Sequence, residues 1–101
     1  MRVIFYLLFF IILQIASLAQ AANTNEGKKL YDRHCAMCHG LQGKSTMANA
    51  PNFKRGEGLF KSDFDLQAHI KKGKNACPAF TGLLKPQQIF DVIAYLRTFY
   101  R

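Results

Sequence analysis

The hydrophobic positions fall into unlike patterns along the chain. From Val3 to Leu13 every residue is apolar or aromatic, and Gln14 is the first polar break. The C-terminal end is patterned differently. Ile89, Val92, Ile93, Leu96 and Tyr100 recur at helical spacing, and Pro86 suits the first turn of the helix they predict. Between these ends apolar residues are sparse. Glu26 to His34 predicts a helix with Leu30 on one face and Gly27 and Tyr31 one turn apart on the neighbouring stripe, preceded by a polar tail from Ala22 to Asn25. Ser62, with Asp65 three residues later, predicts an N-cap for a short helix from Asp63 to Lys72, and Gly73 predicts its stop. Gly40 to Lys61 and Lys74 to Leu84 have loop composition. A loop as long as the first implies that something other than polypeptide fills the space beneath it. No stretch alternates as a strand does. The fold class is all-α, with three main helices and two long loops.

The first pattern is an address. Arg2 supplies a short positive region, Val3 to Leu13 the apolar region, and Ala19-Gln20-Ala21 an A-x-A cleavage site. The apolar run is short for a membrane span, which needs about 20 residues. Residues 1–21 are therefore expected to be a signal peptide and 22–101 the mature domain, with no stable membrane span after cleavage; an uncleaved membrane anchor is the alternative. The expected location is the periplasm or another exported compartment, where disulfides are permitted.

Composition narrows the class. The chain has 101 residues, 14 Lys and Arg against 6 Asp and Glu, and a formal net charge of +8. This length excludes a multidomain enzyme, and a mature chain of this size usually needs a staple beyond its apolar core. Its 3 cysteines cannot all pair with one another, so a pure disulfide scaffold is excluded.

Cys35-Ala36-Met37-Cys38-His39 carries the chemistry. C-x-x-C-H is the attachment signature of a c-type haem. Two cysteines three apart on a helical turn face the same way, so both sulfurs add to the two vinyl groups of one porphyrin. His39 is then held under the iron as a ligand. A redox C-x-x-C would need a βαβ context, and a structural zinc would need a second Cys/His pair; both are lacking. One covalent haem c, attached through Cys35 and Cys38, is the expected cofactor.

Over its whole mature length the chain resembles the class I mono-haem cytochromes c. Gly27 and Tyr31 match the glycine and aromatic of that family's first helix, and Asp91-Val92-Ile93-Ala94-Tyr95-Leu96 matches its last. The resemblance implies a small cytochrome c fold with these two helices crossing at the glycine, so that Gly27 and Tyr31 touch Val92 and Tyr95. It also implies that Pro51 offers its carbonyl to the proximal histidine, orienting the His39 ring and tuning its basicity. Lys54 and Arg55 are candidate contacts for the haem propionates.

One departure bears on function. Where the family has a methionine before proline, a small residue and an aromatic, this chain reads Cys77-Pro78-Ala79-Phe80. Met37 lies inside the attachment loop, Met47 in the long loop could reach only by rearrangement, His34 is tied to the wrong face, and His69 is a surface position or a propionate neighbour. Three readings of Cys77 compete: an iron thiolate, an intermolecular disulfide, or a free thiol that leaves the iron open or bound by Met47. The first is preferred, because a thiolate needs a nearby cation and ferric haem is one. The metal ligands are then His39 and Cys77. Small His/Cys-ligated cytochromes of this kind resemble the subunits of a heterodimeric pair from anammox bacteria. That resemblance implies a second mono-haem cytochrome as partner and nitric oxide or carbon monoxide binding at the reduced haem.

The function so implied is low-potential electron transfer, alone or as a subunit of a redox complex. The alternative is a gas-binding haem protein in which Cys77 is displaced on reduction. A third reading, a catalytic haem subunit acting on sulfur or nitrogen compounds, is weakened by the lack of an acid–base pair, and the chain is not expected to be an enzyme by itself. The scattered lysines either balance the propionates or form a docking ring for an acidic redox partner. Nucleic-acid binding does not suit an exported haem protein.

Overall fold

The computed structural model describes residues 1–15 and 21–100. Its elements are α1 (Arg2–Ile15), α2 (Thr24–His34), the single turn α3 (Ala36–His39), a 3₁₀ turn (Phe53–Arg55), α4 (Asp63–Lys72) and α5 (Pro86–Leu96). Among the described residues there is no strand, only isolated bridges at Lys74–Cys77 and Thr81–Leu84. The all-α class and the three main helices of residues 22–101 are as expected.

α2 and α4 start where a side chain takes up orphan amides. Asn23 caps α2 by accepting from the backbone N–H groups of Asn25 and Glu26, which moves the helix start into the expected polar tail. Ser62 Oγ accepts from Asp65 N at 3.1 Å, and Gly73 ends α4 with φ 72°, both as predicted. In α5 Pro86 occupies the first turn and the Gln88 side chain accepts from Lys85 N at 2.8 Å. α5 stops at Leu96, so Tyr100 lies past its end, half exposed, and meets Phe60 edge-on rather than joining the core.

The core is the crossing of α2 and α5. Tyr31, Ile89 and Ile93 are fully buried, joined by Leu30, Val92 and Leu96, with Leu66 from α4 and Leu59, Phe80 and Leu84 from the loops. Gly27 is the point of closest approach: a Cβ there would lie 1.9 Å from the Asp91 carbonyl oxygen and 3.0 Å from Val92 N. The helices therefore touch backbone to backbone. Tyr31 sits beside them, its ring 5.4 Å from Tyr95 and 5.2 Å from Phe99. The expected contacts of Gly27 and Tyr31 with Val92 and Tyr95 are present, with the Asp91 carbonyl nearest of all.

The apolar side chains of α1 from Val3 to Leu13 are all exposed, and none belongs to the core. No described helix is long and apolar enough to cross a membrane. Ala19 and Gln20 of the expected cleavage site lie outside the described residues.

Candidate functional site

Cys35, Cys38 and His39 share one helical turn. Cys35 ends α2, donating to Tyr31 O at 2.8 Å, and opens α3, accepting from His39 N at 3.0 Å and Cys38 N at 3.2 Å. A chain coming straight off a rigid helix into a second turn puts both sulfurs and the imidazole on one side. The turn is locked from outside. Thr46 Oγ1 donates to Met37 O at 2.7 Å, Thr46 N donates to Cys38 O at 2.9 Å, and the buried Tyr31 hydroxyl donates to Gly40 O at 2.6 Å. Thr46 and the Tyr31 hydroxyl were missed by sequence reasoning, because both act only once the long loop folds back.

His39 is oriented as expected. Its Nδ1 lies 3.1 Å from Pro51 O, and its ring stacks on Phe53 with centroids 4.3 Å apart and planes 18° apart. A carbonyl only accepts, so Nδ1 carries the proton and Nε2 keeps its lone pair for a metal. Burial pushes the His39 pKa down, against a smaller opposing pull from the Pro51 carbonyl. The net lowering suits a neutral ring, with Nε2 free to ligate iron.

Cys77 comes from the loop between α4 and α5. Lys74 and Cys77 exchange backbone hydrogen bonds at 3.0 and 2.9 Å around Asn75, whose φ is 55°. This tight turn rests on Gly73, where a Cβ would meet Cys77 O and Ala79 N at 2.7 Å. Phe80 and Thr81 tie the next residues to Ile70 and Lys71 of α4, and Phe80 packs edge-on to His34 at 5.8 Å. Cys35 and Cys77 both pack against the core. The Cys35 thiol is pushed up to about 12, first by burial and then by the charges Cys77 and Cys38 would carry. Burial also raises Cys77, with Cys38 adding to it and a Lys74 backbone hydrogen bond opposing. Each sulfur's charge bears on the others, and no side-chain cation among the described residues contributes to lowering either of these two thiols.

The other candidates are placed elsewhere. Met37 is 90% exposed and Met47 45%, and His69 is exposed. Lys54 and Arg55 line a cleft of about 310 Å³ together with Lys44 and Asn52. Lys28 and Lys29 are engaged by Asp32 and Glu26. Among the described residues no three His, Cys, Asp or Glu side chains converge on a bare metal ion. Two thiols on one turn, a neutral imidazole with a free Nε2 and a third sulfur carried on another loop instead fit a haem c: sulfurs for the vinyl groups and donors for the iron.

Comparison with known proteins agrees. Residues 22–96 match the family described as cytochrome c oxidase, cbb3-type, subunit III. Cytochrome c6 of Nostoc sp. (strain PCC 7120 / SAG 25.82 / UTEX 2576) is 38% identical over 85 residues, covering 80% of this chain and 75% of that protein. Cytochrome c6 of Thermosynechococcus vestitus is 35% identical over 89 residues, 85% of this chain and 79% of that protein. Among solved structures, the KustC0563 c-type cytochrome superposes with a TM-score of 0.66 at 28% identity, over 74% of this chain and 98% of that one.

Proposed function

The chain belongs to the cytochrome c family and carries one covalent haem c, and from that premise we propose that it is an exported, low-potential electron carrier attached through Cys35 and Cys38 and ligated by His39 and Cys77. The haem supplies the one-electron couple. The chain's own residues hold it, orient the ligands and exclude water. Residues 1–21 act as the signal peptide; the exposure of every apolar side chain from Val3 to Leu13 supports that stretch having no part in the domain core.

The position of Cys77 carries the reading. It is packed against the core and within electrostatic reach of the attachment cysteines, while Met37 and Met47 face solvent. No cation among the described residues lowers the Cys77 thiol, so ferric iron is the partner that would stabilise its thiolate. An anionic sulfur donates charge and favours Fe(III). Each ~1.4 kcal/mol of that preference lowers a one-electron potential by about 60 mV. Roughly 5–7 kcal/mol of it would place the couple about 200–300 mV below His/Met ligation.

The test is the ferric optical and EPR spectrum of the exported protein beside that of Cys77→Met. Thiolate signatures in the first and a midpoint raised by hundreds of mV in the second are expected. An unchanged midpoint removes Cys77 as a ligand. The reduced spectrum under carbon monoxide separates a pure carrier, which does not respond, from a gas-binding protein, which does. A second mono-haem cytochrome is the proposed partner. Two exposed phenylalanines, Phe60 at 79% and Phe64 at 76%, offer the aromatic surface such an interface uses.

A further inference from the structure

Asp91 is the one buried charged residue among those described, only 7% exposed, and it takes part in none of the three ion pairs, Lys28–Asp32, Lys29–Glu26 and Arg97–Asp63. A buried carboxylate without a cation is costly. Its Oδ1 accepts from Asn23 N at 2.8 Å and from Gln87 Nε2 at 3.2 Å. Its Oδ2 has no partner among the described residues. The carboxylate borders a cleft of about 220 Å³ lined also by Ala21, Asn23, Glu26 and Gln87.

The chain itself supplies the missing cation once it is processed. Asn23 is pinned on every side: its amide by Asp91, its side chain by the amides of Asn25 and Glu26, its carbonyl by Gly27 N at 3.0 Å. The nitrogen of Ala22 is one residue upstream, and backbone geometry puts successive amide nitrogens about 3–4 Å apart. In the precursor that nitrogen is a neutral amide with one proton. Cleavage after Ala21 makes it an ammonium with three protons, one residue from the amide that Asp91 already accepts from.

We propose that the α-ammonium of Ala22, created by removal of the leader, is held in this cleft by Asp91 with support from Glu26, so that maturation itself tightens the crossing of α2 and α5. The proposal rests on cleavage after Ala21. The pairing locks the crossing because the carbonyl of the same Asp91 is the atom that covers Gly27. The charged groups facing the ammonium are Asp91 from α5, and Glu26 with its partner Lys29 from α2; Gln87 is neutral.

A sign reversal makes the pairing testable. A lone cation at a helix N-terminus opposes the helix dipole, so neutralising it should stabilise the fold slightly. If Asp91 holds it, neutralising it should destabilise. The haem-loaded, exported protein is used, before and after transamination of its N-terminus, which replaces the ammonium with a neutral ketone. Intact mass identifies residue 22 as the start. Transamination should lower the folding equilibrium constant about tenfold, the equivalent of one pKa unit, and should leave it unchanged or raised in Asp91→Asn. In the native protein alone, the α-amino group should titrate above its ordinary range of about 7.7–8.0. A raised native value means the added stability is present below that range and fades as pH climbs through the folded value. A mature chain starting elsewhere overturns the proposal through its premise. A chain starting at Ala22 overturns the ion pair alone if its α-amino pKa is ordinary and transamination acts equally on the native protein and on Asp91→Asn.

Discussion

Replacing Gly27 by alanine should disrupt the helix crossing far more than one methyl group suggests. The added Cβ would sit 1.9 Å from Asp91 O and 2.5 Å from Asp91 C. Ordinary contact begins near 3.4 Å, so α2 and α5 must separate by about 1.5 Å, and the obstructing atoms are backbone that no rotamer change can move. Two effects compete. Alanine gains about 1 kcal/mol of helix propensity over glycine. Against this stands overpacking, typically about 1–3 kcal/mol and more where nothing yields. Separation also opens the layer formed by Tyr31, Ile89, Val92 and Ile93, all buried, at about 1 kcal/mol for each methyl-sized gap. Loss wins, by about 2–4 kcal/mol net. For a domain of this size each kcal/mol moves Tm by about 4–8 °C, so a fall of roughly 10–30 °C is expected. The assay is thermal unfolding of the haem-loaded ferric protein, followed by far-UV circular dichroism and by Soret absorbance. A Tm within about 3 °C of the native protein would refute the backbone-contact account of the crossing.

Other outcomes follow from single contacts. Tyr31→Phe removes the 2.6 Å bond to Gly40 O but leaves that carbonyl the Gly43 amide, so a cost of about 1 kcal/mol in denaturant unfolding is expected. Burial raises the Tyr31 phenol above its usual range, so the native protein should hold its stability below about pH 10 and lose it above, more steeply than Tyr31→Phe does. Arg97 donates to the carbonyls of Leu59 and Lys61 besides pairing with Asp63. Arg97→Met should therefore cost about 1–3 kcal/mol, while Asp63→Asn, which removes only an exposed charge pair, costs under about 1; equal losses in urea titrations would contradict this. Ser62→Ala should cost about 1 kcal/mol through loss of the α4 cap, read the same way.

Local signals were readable because they depend only on neighbours along the chain. The bounds of α4, its serine cap and glycine stop, and the proline start of α5 all arise within a few residues. The attachment turn was legible for the same reason: Cys35, Cys38 and His39 lie within one helical turn, and their spacing already dictates a shared direction. Where the helical pattern met a competing local choice it misled. Tyr100 continued the α5 periodicity, but the helix ends at Leu96 and the ring goes to Phe60 instead. Asn23 appeared to be tail because its capping partners are amides, which composition does not reveal.

Contacts between distant segments required the folded chain. The nearness of Cys77 to Cys35 and Cys38, the return of Thr46 onto the attachment turn, the Pro51 carbonyl against His39, and Asp91 against the Asn23 amide each join residues many positions apart. Residue identities specified which atoms were available to donate, accept or ligate. Which of them meet is decided by the angle at which α2 crosses α5 and by how the loops close over that crossing, because packing energy depends on distances that no linear pattern contains.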